Sequence, residues 1–269
     1  MSFTTLPKIG MGTFRLKGND AREAVKSALS LGYRHIDTAQ MYENEAEVGD
    51  GITSSGIPRR DIFLTTKIWH DNLHASDLIN SLHDSLARLK TDHVDLTLIH
   101  WPSPDNEVPM EEYLGALRDA QREGLTEHIG ISNFTCAQMD QAKKILGDST
   151  ILTNQVEVHP FLANRKVVEH AQKLGITVTG YMPLAVGKVM EDETLQRIAS
   201  ERNATPAQIA IAWVASRGVV PIPSSTRPSH QKANLEALKI QLNEDEVRAI
   251  DALDRGERIA NPGFAPDWD

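Results

Sequence analysis

Residues 62–99 read IFLTTKIWHDNLHASDLINSLHDSLARLKTDHVDLTLI, and their patterning decides the fold. Ile62–Lys67 and Val94–Ile99 are short, nearly continuous apolar runs rich in β-branched residues, as strands covered on both faces should be. Between them, Ser76–Leu89 sets Leu78, Leu82, Leu86 and Leu89 along one helical stripe. Strand, helix and strand in that order imply parallel pairing, because parallel neighbours need a long crossover. The unit repeats in both directions. Further strand candidates are Ile9–Phe14, Arg34–Thr38, His128–Ile131, Ile151–Val156, Thr177–Tyr181 and Val219–Ile222. Helical patterns run over Asp20–Leu31, Met110–Glu123, Thr135–Leu146, Ala163–Leu174 and Glu191–Arg202, several closing on Gly32, Gly124, Gly147 or Gly175. Thr205-Pro206 opens another, with proline in the first turn, and Ser229–Leu238 and Glu244–Leu253 come last. The eight strand candidates are the number that closes a (β/α)8 TIM barrel. The expectation is one α/β barrel domain over residues 1–269, with an additional C-terminal helix and tail. A doubly wound open sheet is the alternative. It lacks support, since Gly10-Met-Gly12-Thr13 has no third glycine where a dinucleotide turn needs one.

The chain has 269 residues, a formal net charge of −9 and one cysteine. That length buries a large core without disulfide staples. With 40% hydrophobic and 24% charged residues, the mix is that of a globular protein and not of a disordered one. A net acidic chain lacks the basic field that draws nucleic acid or an anionic membrane. Any anionic ligand must therefore meet local positive groups. Cys136 has no internal partner, which fits a reducing compartment. Residues 1–20 hold no apolar run of signal-peptide length. No stretch approaches the roughly 18 apolar residues of a membrane span. The expectation is a cytoplasmic, soluble protein with no nucleic-acid or membrane partner.

In such barrels the chemistry collects where the strands end. Polar side chains stand at nearly every such end: Thr13, Asp37, Lys67, His100, Ser132-Asn133, Gln155, Tyr181 and Ser224-Ser225, with Tyr42 following Asp37. Singly, each has an ordinary explanation; a lysine after an apolar strand snorkels, and a loop tyrosine packs. Asp37, Tyr42, Lys67 and His100 together suit proton delivery. A phenol is a poor acid at neutral pH, with a reference pKa of about 10. An adjacent ammonium lowers that value, a carboxylate keeps the ammonium charged, and an imidazole orients a polar substrate. The set can protonate a carbonyl oxygen as it gains negative charge. It holds neither hydride nor nucleophile, so a cofactor must bring the reducing power. Two other chemistries use similar residues. His35 and Asp37 share a strand face, and with Lys67, His100 and His159 they look like a metal hydrolase. The His-x-His pattern and a final-strand aspartate of that class are missing, and no metal is expected. Lys67 as a Schiff-base lysine leaves Tyr42 without a purpose. The acidic residues Glu43, Glu45 and Glu47 read as a solvated helix start, and His35 and His159 as structural.

The motifs in order are Gly10-Met-Gly-Thr-Phe14, His35-Ile-Asp-Thr-Ala-Gln-Met-Tyr-Glu-Asn-Glu45, Leu64-Thr-Thr-Lys-Ile-Trp69, Asp95-Leu-Thr-Leu-Ile-His-Trp-Pro102, Gly130-Ile-Ser-Asn-Phe134 and Asn154-Gln-Val-Glu-Val-His-Pro160. Across essentially the whole chain this series resembles the aldo-keto reductase superfamily. Within it, the Ile-Pro-Ser-Ser-Thr segment and the Ala-Pro-Asp-Trp tail look most like the bacterial 2,5-diketo-D-gluconic acid reductases of the B type. The resemblance implies Tyr42 as general acid, Lys67 and Asp37 tuning it, and His100 orienting the carbonyl. It implies NADPH as cofactor, held by Thr13, Asp37, Ser132, Asn133, Gln155, Tyr181, Pro183, Leu184, Ser224, Ser225, Thr226, Arg227 and Asn234. Phe14, Trp69, Trp101 and Asn133 would meet the substrate. Many relatives carry a lysine where Ser224 stands and an arginine where His230 stands. Arg227 and the start of the following helix remain to receive a 2′-phosphate. The short Ser103–Pro109 segment and short tail imply an open site for small carbonyls such as methylglyoxal and 2,5-diketo-D-gluconate, in a monomer. The other implied reading is a redox-sensing subunit that holds cofactor with little turnover.

Overall fold

The computed structural model describes residues 4–269. Its strands are β1 Met11–Gly12, β2 His35–Asp37, β3 Phe63–Ile68, β4 Val94–Ile99, β5 Thr126–Ser132, β6 Ile151–Glu157, β7 Thr177–Tyr181 and β8 Val219–Pro221. They form one sheet in chain order, every neighbouring pair parallel. The ends of the sheet meet. The Gly10 N–H donates to the Pro221 carbonyl at 3.0 Å and the Gly12 N–H to the Pro223 carbonyl at 3.1 Å. The sheet thus rolls into the eight-stranded (β/α)8 arrangement.

The helices are α1 Gly18–Leu31, α2 Glu45–Ser54, α3 Ala75–Leu89, α4 Met110–Arg122, α5 Cys136–Leu146, α6 Arg165–Lys173, α7 Glu193–Glu201, α8 Pro206–Ser216, α9 Pro228–Glu236 and α10 Glu244–Asp251. One helix follows each of β1 to β6. Both α7 and α8 lie between β7 and β8, and α9 and α10 follow β8. Local chemistry marks several starts. Thr135 and Gln138 cap α5 reciprocally, as do Thr205 and Gln208 at α8 and Asn243 and Glu246 at α10.

Side chains alternate between the two faces of each strand. Leu64 and Ile68 of β3 join the large apolar layer under the helices, whereas Phe63 packs with Leu96, Leu98, Leu6 and Leu152 inside the barrel. Thr65 and Lys67 share the inward parity of Phe63. The interior is therefore partly polar. His35 meets Thr65 at 3.0 Å, and Thr153 meets Thr179 at 2.9 Å. Burial drives the His35 pKa down to about 4, so its ring is neutral.

The strand candidates fall within a few residues of the observed ladders. One helix, α2, is represented in the sequence expectations only by its acidic start, with no range given to it. Its sequence EAEVGDGITS contains Gly49 and Gly51, which weaken helical propensity. Tertiary contact explains them. A Cβ on Gly49 would lie 2.8 Å from the Arg88 carbonyl oxygen of α3, and one on Gly51 2.7 Å from the Arg22 carbonyl oxygen of α1. The expected solvated acidic start is also corrected. Glu45 is buried, accepting from Thr66 Oγ1 at 2.5 Å and Arg88 Nε at 2.8 Å, and so ties α2 to β3 and α3. Only Glu43 of that cluster is well exposed.

Gly49→Ala should lower the stability read from urea unfolding by about 1–3 kcal/mol, the usual cost of overpacking. Gly115→Ala in α4, where an added methyl meets nothing within 4 Å, should raise it. A gain of roughly 0.5–1 kcal/mol is expected. Equal effects at the two sites would refute close packing as the reason for glycine in α2.

Candidate active site

The carboxyl ends of β2, β3, β4, β5, β6 and β7 surround one buried network. Lys67 of β3 is fully buried. Its ammonium donates to Asp37 Oδ1 at 2.5 Å, to the Thr38 carbonyl at 2.9 Å and to the Tyr42 hydroxyl at 3.0 Å. An ammonium has three hydrogens, so every donor is used. The second oxygen of Asp37 accepts from Gln155 Nε2 at 2.7 Å. Gln155 also holds the end of β5, its carbonyl accepting from Ser132 Oγ at 2.8 Å and from the Asn133 N–H at 3.0 Å. Asn133 donates to the His100 carbonyl at 3.0 Å and accepts from the Tyr181 hydroxyl at 2.8 Å. Tyr42 and His100 face each other edge-on, ring centres 5.7 Å apart.

Electrostatics assigns protonation states. Burial pulls the Lys67 ammonium down, but Asp37 and Tyr42 more than restore it, and its pKa ends above the ordinary lysine value. Burial raises the Tyr42 phenol above its ordinary 10; Lys67 opposes this without cancelling it. The sequence expectation of a lowered phenol is thereby corrected in net sign, while the lysine still acts in the expected direction. Burial, helped by Lys67 and His70, holds His100 well below the ordinary histidine range. The site thus presents a charged lysine, a protonated phenol and a neutral imidazole.

Above the network lies a cleft of about 710 Å³, within the range of small-molecule and cofactor sites. Asp37, Tyr42 and His100 form its floor. Ser132, Asn133, Gln155, Tyr181, Pro183 and Leu184 line one arm, which continues to Ser224, Ser225 and Thr226. Phe14, Trp69 and Trp101 wall the other end. Of the remaining sequence candidates, Lys67 sits beneath Tyr42, outside the wall. Thr13 is also beneath it, its N–H and hydroxyl both donating to the Asp37 carbonyl at 3.0 and 2.9 Å. Arg227 is exposed at the N-cap of α9, beside the cleft's hydroxyl arm. Asn234 is buried in α9 against the Tyr33 hydroxyl and lies off the cleft.

Several residues went unforeseen. Phe264 of the tail stands edge-on to Trp69 and Trp101 at 5.8 and 5.5 Å, so the short tail contributes to the aromatic wall of the cleft. Arg15, Leu16, Met41 and Val186 also line the cleft. Two buried or half-buried amides brace it. Asn44 donates to the Thr13 and Leu16 carbonyls at 2.8 and 2.9 Å, while Gln40 accepts from the Trp69 N–H at 2.9 Å. Both amides lie in the same run as Asp37 and Tyr42, which was the available signal. Nothing local in the sequence marks Phe264.

The cleft suits a dinucleotide. Amide and hydroxyl groups gather beside the Tyr181 ring at one end, and hydroxyls and Arg227 stand by the α9 N-terminus at the other. Known proteins share the sequence and the fold. Residues 8–255 match the Aldo/keto reductase family. Methylglyoxal reductase DkgB of Escherichia coli O157:H7 is 52% identical over 265 residues, spanning 98% of this chain and 99% of that protein. A crystal structure provisionally named 2,5-diketo-D-gluconic acid reductase B superposes with a TM-score of 0.95 at 44% identity, covering 98% of this chain and 94% of that one. A Bombyx mori aldo-keto reductase in complex with NADP gives a TM-score of 0.89 at 31% identity, covering 97% and 95%. With the similarity running through every strand that bears the buried network, the chain belongs to the aldo/keto reductase family.

Proposed function

We propose that this chain reduces aldehydes and ketones to alcohols with NADPH, Tyr42 supplying the proton, and that its substrates are small carbonyls of the methylglyoxal and 2,5-diketo-D-gluconate kind. The observation that carries this is the wiring of Tyr42. Its oxygen accepts from Lys67, so its own hydrogen points elsewhere, and the cleft with His100 is what it faces. Lys67 cannot turn away, because its other hydrogens are held by Asp37 and Thr38.

When bound, the nicotinamide supplies the hydride. Ser132, Asn133 and Gln155 would hold its carboxamide and Tyr181 its ring face. Asp37 and Lys67 touch the reacting atoms only through Tyr42. A neutral His100 can donate one N–H to the carbonyl oxygen and so orient it. As that oxygen gains charge, Tyr42 gives it a proton, and the Lys67 ammonium stabilises the phenolate left behind. Burial keeps the phenol protonated until a stronger base forms beside it. A subunit that merely held cofactor would not need this arrangement. Preference for NADPH is assigned to Arg227, whose planar guanidinium suits a phosphate at the start of α9. Action as a cytoplasmic monomer belongs to the same proposal. It is supported by the acidic charge balance and the lone Cys136.

Initial rates of NADPH oxidation with methylglyoxal test the proposal. Tyr42→Phe should lose about 10²–10⁴-fold, the span of general acid catalysis. Rates equal to the wild type would remove Tyr42 from its role. The pH dependence follows from the shifts. An acid must be protonated to act, and the Tyr42 pKa lies above 10, so the reduction rate should fall only as pH rises past the ordinary tyrosine value. His100 is already neutral, so no limb should appear near 6.5. A limb there that vanishes in His100→Gln would contradict a neutral imidazole. Arg227→Ala should raise KM for NADPH by roughly tenfold and leave KM for NADH alone, a phosphate contact being worth about 1.4 kcal/mol or more.

A further inference from the structure

Glu157 ends β6, two residues beyond Gln155, and its side chain is fully buried. The Tyr42 network does not use it. Its Oε1 accepts from the Ile259 N–H at 2.8 Å and from His159 Nε2 at 2.8 Å, and its Oε2 accepts from the Ala260 N–H at 2.7 Å. His159 Nδ1 accepts from the Phe161 N–H at 3.2 Å, so that ring is a neutral imidazole donating through Nε2. Burial works against the carboxylate, but these donors hold its pKa below the ordinary range. The donors to the Glu157 carboxylate are thus a fixed histidine and the backbone of the tail.

The tail beyond α10 has no helix or strand of its own. Ala260, Pro262 and Phe264 nevertheless line the cleft. Farther on, Trp268 lies 6.0 Å from Trp101, with the Arg258 guanidinium 3.7 Å above its ring. A carboxylate that takes two successive backbone N–H groups fixes both the position and the direction of the chain there. Phe264 follows a few residues later.

We infer that Glu157 is a positioning residue for the carbonyl substrate: its carboxylate pins the Ile259–Ala260 backbone so that Phe264 closes the substrate end against Trp69 and Trp101. This rests on the carbonyl-reductase proposal for the cleft. A glutamine at 157 keeps the size but offers a donor where Ala260 already donates, so the pin fails on one side.

The test compares wild type, Glu157→Gln, Phe264→Ala and the double variant as full chains with NADPH and methylglyoxal. Glu157→Gln should raise KM for methylglyoxal roughly tenfold, leave kcat within about twofold, and leave KM for NADPH unchanged. The double variant should match Phe264→Ala alone, because both changes remove the same wall. Additive effects, or a loss confined to kcat, would overturn the inference. Trypsin cleavage after Arg258 is read in parallel and needs no turnover. It should quicken in Glu157→Gln, and an unchanged rate would overturn the pin. If Glu157→Gln does not fold, Ala260→Pro removes one of the two N–H donors without touching the barrel and must give the same KM rise. A wild type that fails to oxidise NADPH with methylglyoxal or any other small carbonyl offered would instead defeat the reductase proposal, and cleavage after Arg258 would still decide the pin.

Discussion

A buried ammonium with three hydrogens and three acceptors governs this molecule. Left unpaired, Lys67 would cost several kcal/mol to bury. Its acceptors all come from the stretch between Asp37 and Tyr42. Register makes this possible. Asp37 pairs with Thr65, and Lys67 lies two residues further along the same inward face. A slip of one residue would swing Lys67 outward, under the helices. The strand pairing that builds the barrel and the constraint that builds the site are therefore one requirement.

The same requirement reaches across the barrel. Asp37 spends one oxygen on Lys67 and the other on Gln155, which lies 118 residues later. Gln155 in turn sets Ser132 and Asn133, and Asn133 sets Tyr181. Groups from separate strands thus fix one another through direct hydrogen bonds. This explains a partly polar interior. The upper part of the barrel forms a hydrogen-bonded plate, and below it Phe63, Leu96 and Leu98 supply the apolar packing.

What was legible in the sequence follows from the range of the forces involved. The strands were legible because burial on both faces leaves continuous apolar runs. The catalytic candidates were legible because strand ends are countable and the ordered motifs are specific. Of helix α2 only the acidic start was legible, since its glycines answer to the backbones of α1 and α3 and to nothing nearby in sequence. Glu45 misled for a related reason: its acidic neighbours suggest solvent, while Thr66 and Arg88 make burial acceptable. The net shift of the Tyr42 phenol depends on how completely the barrel excludes water, which no spacing reports. Phe264 was invisible because the contacts that bring its segment home span 102 and 103 residues.

The contrast between floor and rim has a functional logic. The floor stands at the strand ends, over a lysine whose three hydrogens are all committed. The rim includes Met182, Ala185 and Val186 at φ values of 50, 47 and 54°, a conformation that side chains other than glycine adopt at some cost. Val186 is both β-branched and exposed, so packing does not explain its presence there. Beside this loop, the tail is held by Glu157, by the Phe161 carbonyl that accepts from the Arg255 and Glu257 N–H groups, by the Lys188–Glu257 and Cys136–Asp269 contacts, and by its aromatic contacts. In the proposed reaction, proton delivery needs fixed distances, which the floor supplies, and selection among carbonyls needs surfaces that can be altered singly, which the loop and tail supply. A change at Phe264 or Val186 leaves all three hydrogens of Lys67 where they are. The surface of the cleft can therefore change at the rim without disturbing the buried network beneath it.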